Sequence, residues 1–134
     1  MRLVVDTNVF VSAALKESSR PARVIRWLRQ YGSLLKSAPT EQELLGVLQR
    51  PRFADKLAPW FLEEVRNMLD AAESVPIVEF IALCRDPEDD KFLELAVNGR
   101  ANLIISGDSD LLSLDMVRGV PIVPPAAFVR AGTR

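Results

Sequence analysis

Acidic residues that follow short apolar segments are the side chains of this sequence best placed to do chemistry. Asp6 comes directly after the apolar residues 3–5, and Asp108 lies three residues beyond the apolar residues 103–105. Such short apolar runs are typical of buried strands, and the functional crevice of an open α/β sheet lies beyond the carboxyl ends of its strands. If the two strands are neighbours, the two carboxylates face one another, and a shared proton or a cation relieves their repulsion. Each Asp alone also fits a helix N-cap.

Four acidic residues within residues 86–90 form a second candidate group, at the predicted start of a helix. A helical wheel places Asp89 on the same face as Phe92 and Leu93, which are predicted core residues, and turns Asp90 more than a quarter-turn away. The spacing therefore favours Asp89 as the inward-facing carboxylate. Asp89 also fits an N-cap of this helix.

The predicted helix over residues 41–50 offers two further carboxylates. Glu41 lies nearer the apolar face of this helix than Glu43 does. Glu43 has a structural interpretation as well, because Thr40 followed by Glu43 fits a capping box at the start of a helix. The spacing alone leaves the choice between the two glutamates open.

Composition excludes several classes of catalytic centre. The 134-residue chain contains no histidine and one cysteine, Cys84, which excludes Ser-His-Asp triads, Cys-His pairs, histidine zinc sites and a disulfide within the chain. A chain of this length buries roughly two-thirds of its unfolded surface, enough for a core without cross-links. We expect a single domain over residues 1–134. Low cysteine usage, the lack of an N-terminal leader and apolar runs far below ~20 residues predict a reduced, soluble, cytoplasmic protein.

Strand-like and helix-like segments alternate along the chain, and they predict an α/β fold in which helices cover both faces of a parallel sheet. The predicted strands cover residues 3–5, 34–35, 75–80, 103–105 and 120–123. The predicted helices cover residues 7–15, 19–31, 41–50, 59–72 and 89–99, with a short helix near the C-terminus. Capping residues and prolines indicate where these helices start, and Gly32 and Gly99 indicate where two of them end.

Charge is divided unevenly along the chain. Residues 1–60 carry ten Lys or Arg against five Asp or Glu, which gives +5, and residues 61–134 carry seven against thirteen, which gives −6. Such a division is typical of a protein that holds phosphates with its basic residues and a cation with its carboxylates, although chance segregation explains it equally well. The candidate phosphate-binding residues are Arg20, Arg23, Arg26, Arg50 and Arg52. A solvated helix face is the more common role of such charges, and docking of an acidic peptide is a third.

Four motifs, in order, resemble the PIN-domain family. They are LVVDTNV at residues 3–9, Glu43-Leu44 ahead of Val-Leu and Arg-Pro, DPEDDKF at residues 86–92, and SGDSDLL at residues 106–112. The resemblance covers essentially the whole chain and is closest to the VapC-like ribonucleases, which are the toxins of toxin–antitoxin systems. It implies a three-layer α/β/α sandwich with a central, mainly parallel sheet.

The same resemblance implies a metal-dependent endoribonuclease that hydrolyses RNA and leaves 5′-phosphate and 3′-hydroxyl ends. It also implies an antitoxin protein as partner and a homodimer, as in many relatives. The residues to which it assigns catalysis and the binding of Mg²⁺ or Mn²⁺ are Asp6, Glu43, Asp89 and Asp108, with Thr7, Asn8, Ser106 and Asp110 in support. The family's glutamate directly precedes Leu, so the resemblance favours Glu43 over Glu41. Four carboxylates can hold one such cation or two.

The sequence allows two alternatives to this nuclease interpretation. The first is a PIN-fold module that binds RNA or protein and whose acids are structural. The second is a phosphatase similar to the haloacid dehalogenases, in which a second Asp stands two residues after the nucleophile. Asn8 occupies that position here and no suitably placed Lys follows, which disfavours the phosphatase.

Overall fold

Parallel strands and their flanking helices make up the computed structural model, which describes residues 1–131. The strands are β1 (Arg2–Val5), β2 (Ser33–Lys36), β3 (Glu73–Ser74), β4 (Leu103–Ile105), β5 (Met116–Val117) and β6 (Val120–Val123). They form one sheet in the order β3-β2-β1-β4-β6-β5. All neighbouring pairs are parallel except β5 and β6, which are antiparallel. The prediction of a mainly parallel sheet is therefore confirmed.

Helices connect these strands and cover the sheet. They are α1 (Thr7–Leu15), α2 (Arg20–Tyr31), α3 (Ala38–Leu48), α4 (Pro51–Ala54), α5 (Pro59–Ala71), α6 (Asp90–Gly99), α7 (Ser109–Leu112) and α8 (Pro125–Arg130), with a 3₁₀ helix at Pro87–Asp89. The longer predicted helices are confirmed to within a few residues, whereas α4 and α7 were not predicted. Among the residues described, no helix is long and apolar enough to cross a membrane.

Two apolar cores lie on opposite faces of the sheet. Leu3 and Val5 of β1 pack into a core with α1, α2, α3, α5 and α8, while Val4 packs into a second core with α6. Ile105 and Ile104 of β4 divide between the same two cores. This alternation follows from the strand geometry, in which successive side chains point to opposite faces. The fold is thus the expected three-layer α/β/α sandwich.

Strands β1 and β4 are hydrogen-bonded neighbours at the centre of the sheet. Val5 pairs with Ile105, and the backbone N–H of Asp6 donates to the carbonyl of Ile105 at 2.9 Å. Sequence alone does not show that these strands are adjacent. Because they are parallel and in register, the residues that follow both strands emerge at the same edge of the sheet.

The start of α3 differs from the prediction. The capping box consists of Ser37 and Thr40: the Ser37 hydroxyl accepts from the Thr40 N–H at 3.4 Å, and the Thr40 hydroxyl accepts from the Ser37 N–H at 3.0 Å. The predicted box of Thr40 and Glu43 is wrong because the helix already begins at Ala38, which puts Thr40 inside the first turn. The side chain of Glu43 has no capping role.

The predicted strand over residues 75–80 is also wrong. Pairing with β2 ends after Val75, whose N–H donates to the Lys36 carbonyl at 2.8 Å. Pro76 follows and has no N–H to continue the ladder. The apolar residues that suggested a strand include Val78 and Phe80, which are exposed on a loop.

Side chains of α6 hold this loop in place of a neighbouring strand. The amide oxygen of Asn98 accepts from the N–H groups of Val78 and Glu79 at 3.0 and 2.9 Å, and its NH₂ group donates to the carbonyls of Glu79 and Glu94. One amide side chain therefore satisfies backbone groups that strand pairing would otherwise satisfy.

Replacing Asn98 with Ala should lower the free energy of unfolding by about 0.5–1.5 kcal/mol, because hydrogen bonds to the backbone of an exposed loop are lost and water partly replaces them. Amide hydrogen exchange at Val78 and Glu79 should become faster. Chemical denaturation and exchange measurements test both effects. Asn67→Ala on the exposed face of α5 is the matched control and should change stability by no more than about 0.5 kcal/mol. Equal stabilities of the two variants would contradict this role of Asn98.

Candidate active site

Asp6 forms the buried base of the site at the end of β1. Its side chain is 4% exposed, and its Oδ2 atom accepts from the Ser106 hydroxyl at 2.7 Å. Its Oδ1 atom accepts from the Asn8 N–H at 3.4 Å and so caps α1. Burial raises the pKa of Asp6, and the Ser106 hydrogen bond partly opposes this. The capping role and a place in an acidic site are therefore compatible.

Asp108 is fixed beside Asp6 by the same serine. The Ser106 hydroxyl accepts from the Asp108 N–H at 3.0 Å, and Asp108 caps α7 by accepting from the Asp110 N–H at 2.9 Å. One carboxylate oxygen from each of Asp89, Asp108 and Asp110 lies within 4.8 Å of the other two. Asp110, expected in a supporting role, lies in the same oxygen cluster as Asp89 and Asp108.

Asp89 and Asp90 are adjacent in sequence and have different environments. Asp89 occupies the N-cap position of α6 but makes no capping hydrogen bond with its side chain. Burial, the charge of Asp108 and a hydrogen bond with Asp108 raise the pKa of Asp89 to about 7. Asp90 is buried, and its Oδ1 atom accepts from the N–H groups of Leu83 and Cys84 at 3.1 and 2.8 Å. The geometry thus joins Asp89 to the acidic cluster and gives Asp90 a structural contact. The prediction that Asp90 points away from the core is wrong, because Asp89 lies in the 3₁₀ helix before α6 and Asp90, the first residue of α6, is the more buried of the two.

Glu43 reaches the site from α3. Its Oε2 atom accepts from the Thr7 hydroxyl, and its Oε1 atom accepts from Lys91 Nζ at 2.8 Å. Glu41 instead pairs with Lys36 at 3.1 Å. The charge of Glu43 contributes to the raised pKa of Asp6, as does that of Asp108. The structure therefore brings Glu43, and not Glu41, to the other acids.

The supporting residues Thr7, Ser106 and Asn8 contribute different groups to the site. Thr7 and Ser106 are buried and donate to site carboxylates, whereas Asn8 contributes its backbone N–H and its side chain is exposed. Lys91 was not singled out from the sequence. The signal that could have identified it is its position in the first turn of a helix, next to residues 90, 92 and 93, which are buried.

Burial of Lys91 acts to lower its pKa. The hydrogen bonds and charges of Glu43 and Glu88 outweigh that effect, so the pKa of Lys91 is raised above its usual value. Lys91 therefore carries a positive charge at neutral pH.

The arginines proposed from the sequence to contact RNA lie apart from these acids in the hydrogen-bond network. Within residues 1–131, none of them forms an ion pair with a site carboxylate. Arg20, Arg23 and Arg26 are exposed on α2, and Arg26 lines a groove of about 510 Å³ between α1, α2 and α5. Arg50 and Arg52 are exposed at α4, where Arg52 lies 5.3 Å from the centre of the Phe53 ring.

Comparison with known protein families now bears on this site. The family model described as PIN domain matches residues 2–110, which include every carboxylate of the cluster. The chain belongs to the PIN domain family. PIN domains are generally nucleases, and they usually use divalent metals.

One sequence relative and two solved structures are similar to this PIN domain protein. MJ1680, an uncharacterized protein of Methanocaldococcus jannaschii, is 29% identical over 120 residues, which cover 85% of this chain and 75% of the relative. PAE2754 of Pyrobaculum aerophilum superposes with a TM-score of 0.60 at 13% identity, covering 98% of this chain and 88% of the other. A chain from the structure of VapBC2 of Rickettsia felis, bound to a DNA fragment of its promoter, superposes with a TM-score of 0.58 at 14% identity. The superposition covers 92% of this chain and 98% of the other. These superpositions show a shared fold.

Without divalent cations, the free energy of unfolding should fall as the pH rises from about 4 to about 7. Asp89 has a folded-state pKa of about 7 against an ordinary value of 3.8, so the folded chain holds more protons than the unfolded chain in that range. Asp89→Asn should flatten this slope, and Asp70→Asn on the exposed face of α5 should leave it unchanged. Melting temperatures measured across this pH range in a chelating buffer test the sign. Equal slopes for the wild type and Asp89→Asn would contradict the placement of Asp89.

Proposed function

We propose that this PIN domain protein is a metal-dependent endoribonuclease that hydrolyses RNA phosphodiester bonds. Its active-site acids in this proposal are Asp6, Glu43, Asp89 and Asp108, and its cofactor is Mg²⁺ or Mn²⁺. The observation that carries the proposal is the convergence of oxygens from Asp89, Asp108 and Asp110 within 4.8 Å, at the sheet edge where Asp6 also lies.

The donor set suits a hard divalent cation. Mg²⁺ and Mn²⁺ take oxygen ligands, commonly from one or two carboxylates together with water. The pKa of about 7 at Asp89 reflects burial and the charge of Asp108, and a cation at this position would relieve that repulsion. Asp110 shares the oxygen cluster, and we include it among the residues that would hold the ion. Such an ion would lower the pKa of a water molecule and offset charge on the phosphodiester, which removes the need for a histidine base.

The chain's own hydrogen bonds orient these acids. Ser106 donates to Asp6 and accepts from the backbone of Asp108, so a single hydroxyl sets the spacing between the two strand ends. Thr7 donates to Glu43 and thereby links α1 to α3. Groups that orient metal-binding carboxylates in this way typically change metal affinity or activity by roughly 10- to 100-fold when they are removed.

Arg20, Arg23, Arg26, Arg50 and Arg52 are proposed to contact the RNA. Their exposure supports this role, since phosphate contacts require accessible cationic side chains. RNA binding by these residues should weaken as the salt concentration rises.

We further propose that the protein is the toxin of a cytoplasmic toxin–antitoxin pair. The fold shared with a chain of VapBC2 supports this assignment. The groove between α1, α2 and α5 has three basic side chains, Arg26, Arg29 and Lys56, and two acidic ones, Glu17 and Glu64, around an apolar floor. Arg29 pairs with Glu64, which leaves Arg26 and Lys56 for a partner's acidic groups. Such a groove suits an acidic amphipathic segment of an antitoxin. A homodimer is a further proposed assembly.

Mn²⁺ should raise the melting temperature, because a ligand that binds only the folded state stabilises it, by about 2.7 kcal/mol at 100 times its dissociation constant. Asp6→Asn and Asp108→Asn should abolish the rise, and Ser106→Ala should shift it to roughly 10- to 100-fold higher Mn²⁺. Asp70→Asn is the control and should respond as the wild type does. Thermal unfolding across a Mn²⁺ titration measures these shifts, and an unchanged melting temperature at millimolar Mn²⁺ would contradict a divalent-cation site.

RNA cleavage tests the nuclease directly. With Mg²⁺ or Mn²⁺ present, the protein should cut a mixed RNA substrate and leave 5′-phosphate ends, and a chelator should stop the reaction. Asp89→Asn and Asp108→Asn should reduce cleavage to background, while Asp70→Asn should cut as the wild type does. RNA binding without cleavage by the wild type, under conditions where Mn²⁺ raises its stability, would favour the non-catalytic binding module.

A further inference from the structure

Lys91 lies in the first turn of α6 with its ammonium group directed at the acidic site. Its Nζ atom is 2.8 Å from Glu43 Oε1 and 3.3 Å from Glu88 Oε2. The Lys91 side chain is 15% exposed and that of Glu43 27%, whereas the Glu88 side chain is 81% exposed. Exposed ion pairs contribute little because water and salt screen them, and a sheltered pair is screened much less. The partner that matters for Lys91 is therefore Glu43.

Both carboxylate oxygens of Glu43 already have a donor. Thr7 donates to one and Lys91 to the other. The oxygen cluster that could hold a cation consists of Asp89, Asp108 and Asp110 and does not include Glu43.

Negative charge is consequently uneven across the site. In the part of the chain that the structure describes, Lys91 is the one cationic side chain paired with any of the acids assigned to the site. The Glu43 side is neutralised by an ammonium group. The Asp89 and Asp108 side is held together only by hydrogen bonds and carries the repulsion that a cation would relieve.

We propose that Lys91 is a built-in cation that takes the place of a second divalent ion beside Glu43, so that the site binds a single divalent ion. Asp89, Asp108 and Asp110 hold that ion, Asp6 adds negative charge beside it, and Glu43 acts by positioning Lys91 and Thr7. This inference rests on the proposed metal-dependent function and assigns the number of ions, which the sequence leaves open. A second ion beside Glu43 would have to displace the ammonium group and would meet its repulsion.

The test counts Mn²⁺ ions bound per chain, by calorimetric titration and by the paramagnetic resonance signal of free Mn²⁺. The wild type should bind one ion. Lys91→Met, which keeps the length and apolar stem of the side chain but removes its charge, should bind two. Lys91→Arg keeps the charge and should bind one. Adding Glu43→Gln to Lys91→Met should return the count to one.

Lys36→Met is the matched control. Lys36 is also a sheltered lysine, 18% exposed, and it pairs with Glu41 on the same helix as Glu43 but outside the acidic cluster. This variant should bind one ion with the affinity of the wild type. Two ions bound to Lys36→Met would contradict a specific role for Lys91.

The outcomes separate this inference from the proposed function. Two ions in the wild type, or one ion in a folded Lys91→Met, would overturn the inference and leave the nuclease proposal standing. No bound ion in the wild type would overturn both. If Lys91→Met does not fold, the single variant Glu43→Gln is the test. Binding of one ion with an affinity within a few-fold of the wild type supports the positioning role of Glu43. Loss of the ion overturns the inference.

Discussion

The parallel pairing of β1 with β4 is the constraint on which the rest of the site depends. Its register sets Val5 opposite Ile105, so Asp6 and the Ser106–Asp108 segment leave the sheet at the same edge although about one hundred residues separate them in sequence. The Ser106 hydroxyl can bridge the two segments only because the strands share this register. Slippage of β4 by one residue would turn its side chains to the opposite faces and exchange the residues of the two cores.

Carboxylates collected at one edge repel, and the chain holds them there with hydrogen bonds that also build the fold. Asp6 and Asp108 each cap the helix that follows a strand, so the same side chains that crowd the site also satisfy the first N–H groups of α1 and α7. Asp89 stands at an equivalent position on α6 without a capping bond, and its pKa is the one raised to about 7. Capping bonds therefore stabilise Asp6 and Asp108, whereas Asp89 has no such bond to offset the repulsion from its neighbours.

The sequence predicted the parts of this arrangement that depend on local pattern. Apolar runs followed by Asp placed Asp6 and Asp108 after strands. Helical periodicity turned the wrong aspartate away from the core, because α6 begins only at Asp90 and buries that side chain. The choice between Glu41 and Glu43 could not be made from spacing, because it depends on where α3 begins and on which neighbour, Lys36 or Lys91, the fold brings to each. The wrongly predicted strand at residues 75–80 has a similar origin. Its apolar composition can be read from the sequence, but the side chain that accepts from its backbone N–H groups, Asn98, lies on another element. A local sequence pattern does not show which distant residues the fold brings into contact.

The distribution of charge explains why a site built on repulsion is tolerated. Asp6 and Asp108 accept hydrogen bonds from neighbouring backbone or hydroxyl groups, and Glu43 accepts from Thr7 and pairs with Lys91. Asp89 makes no capping bond with its side chain. Such local bonds remove only part of the repulsion between carboxylates. The remaining repulsion lies between Asp89 and Asp108, where Asp110 adds a further oxygen. Within residues 1–131, no lysine or arginine forms an ion pair with these three aspartates. The unfavourable energy is thus concentrated at one point of the sheet edge, and a cation bound at that point would relieve the most repulsion.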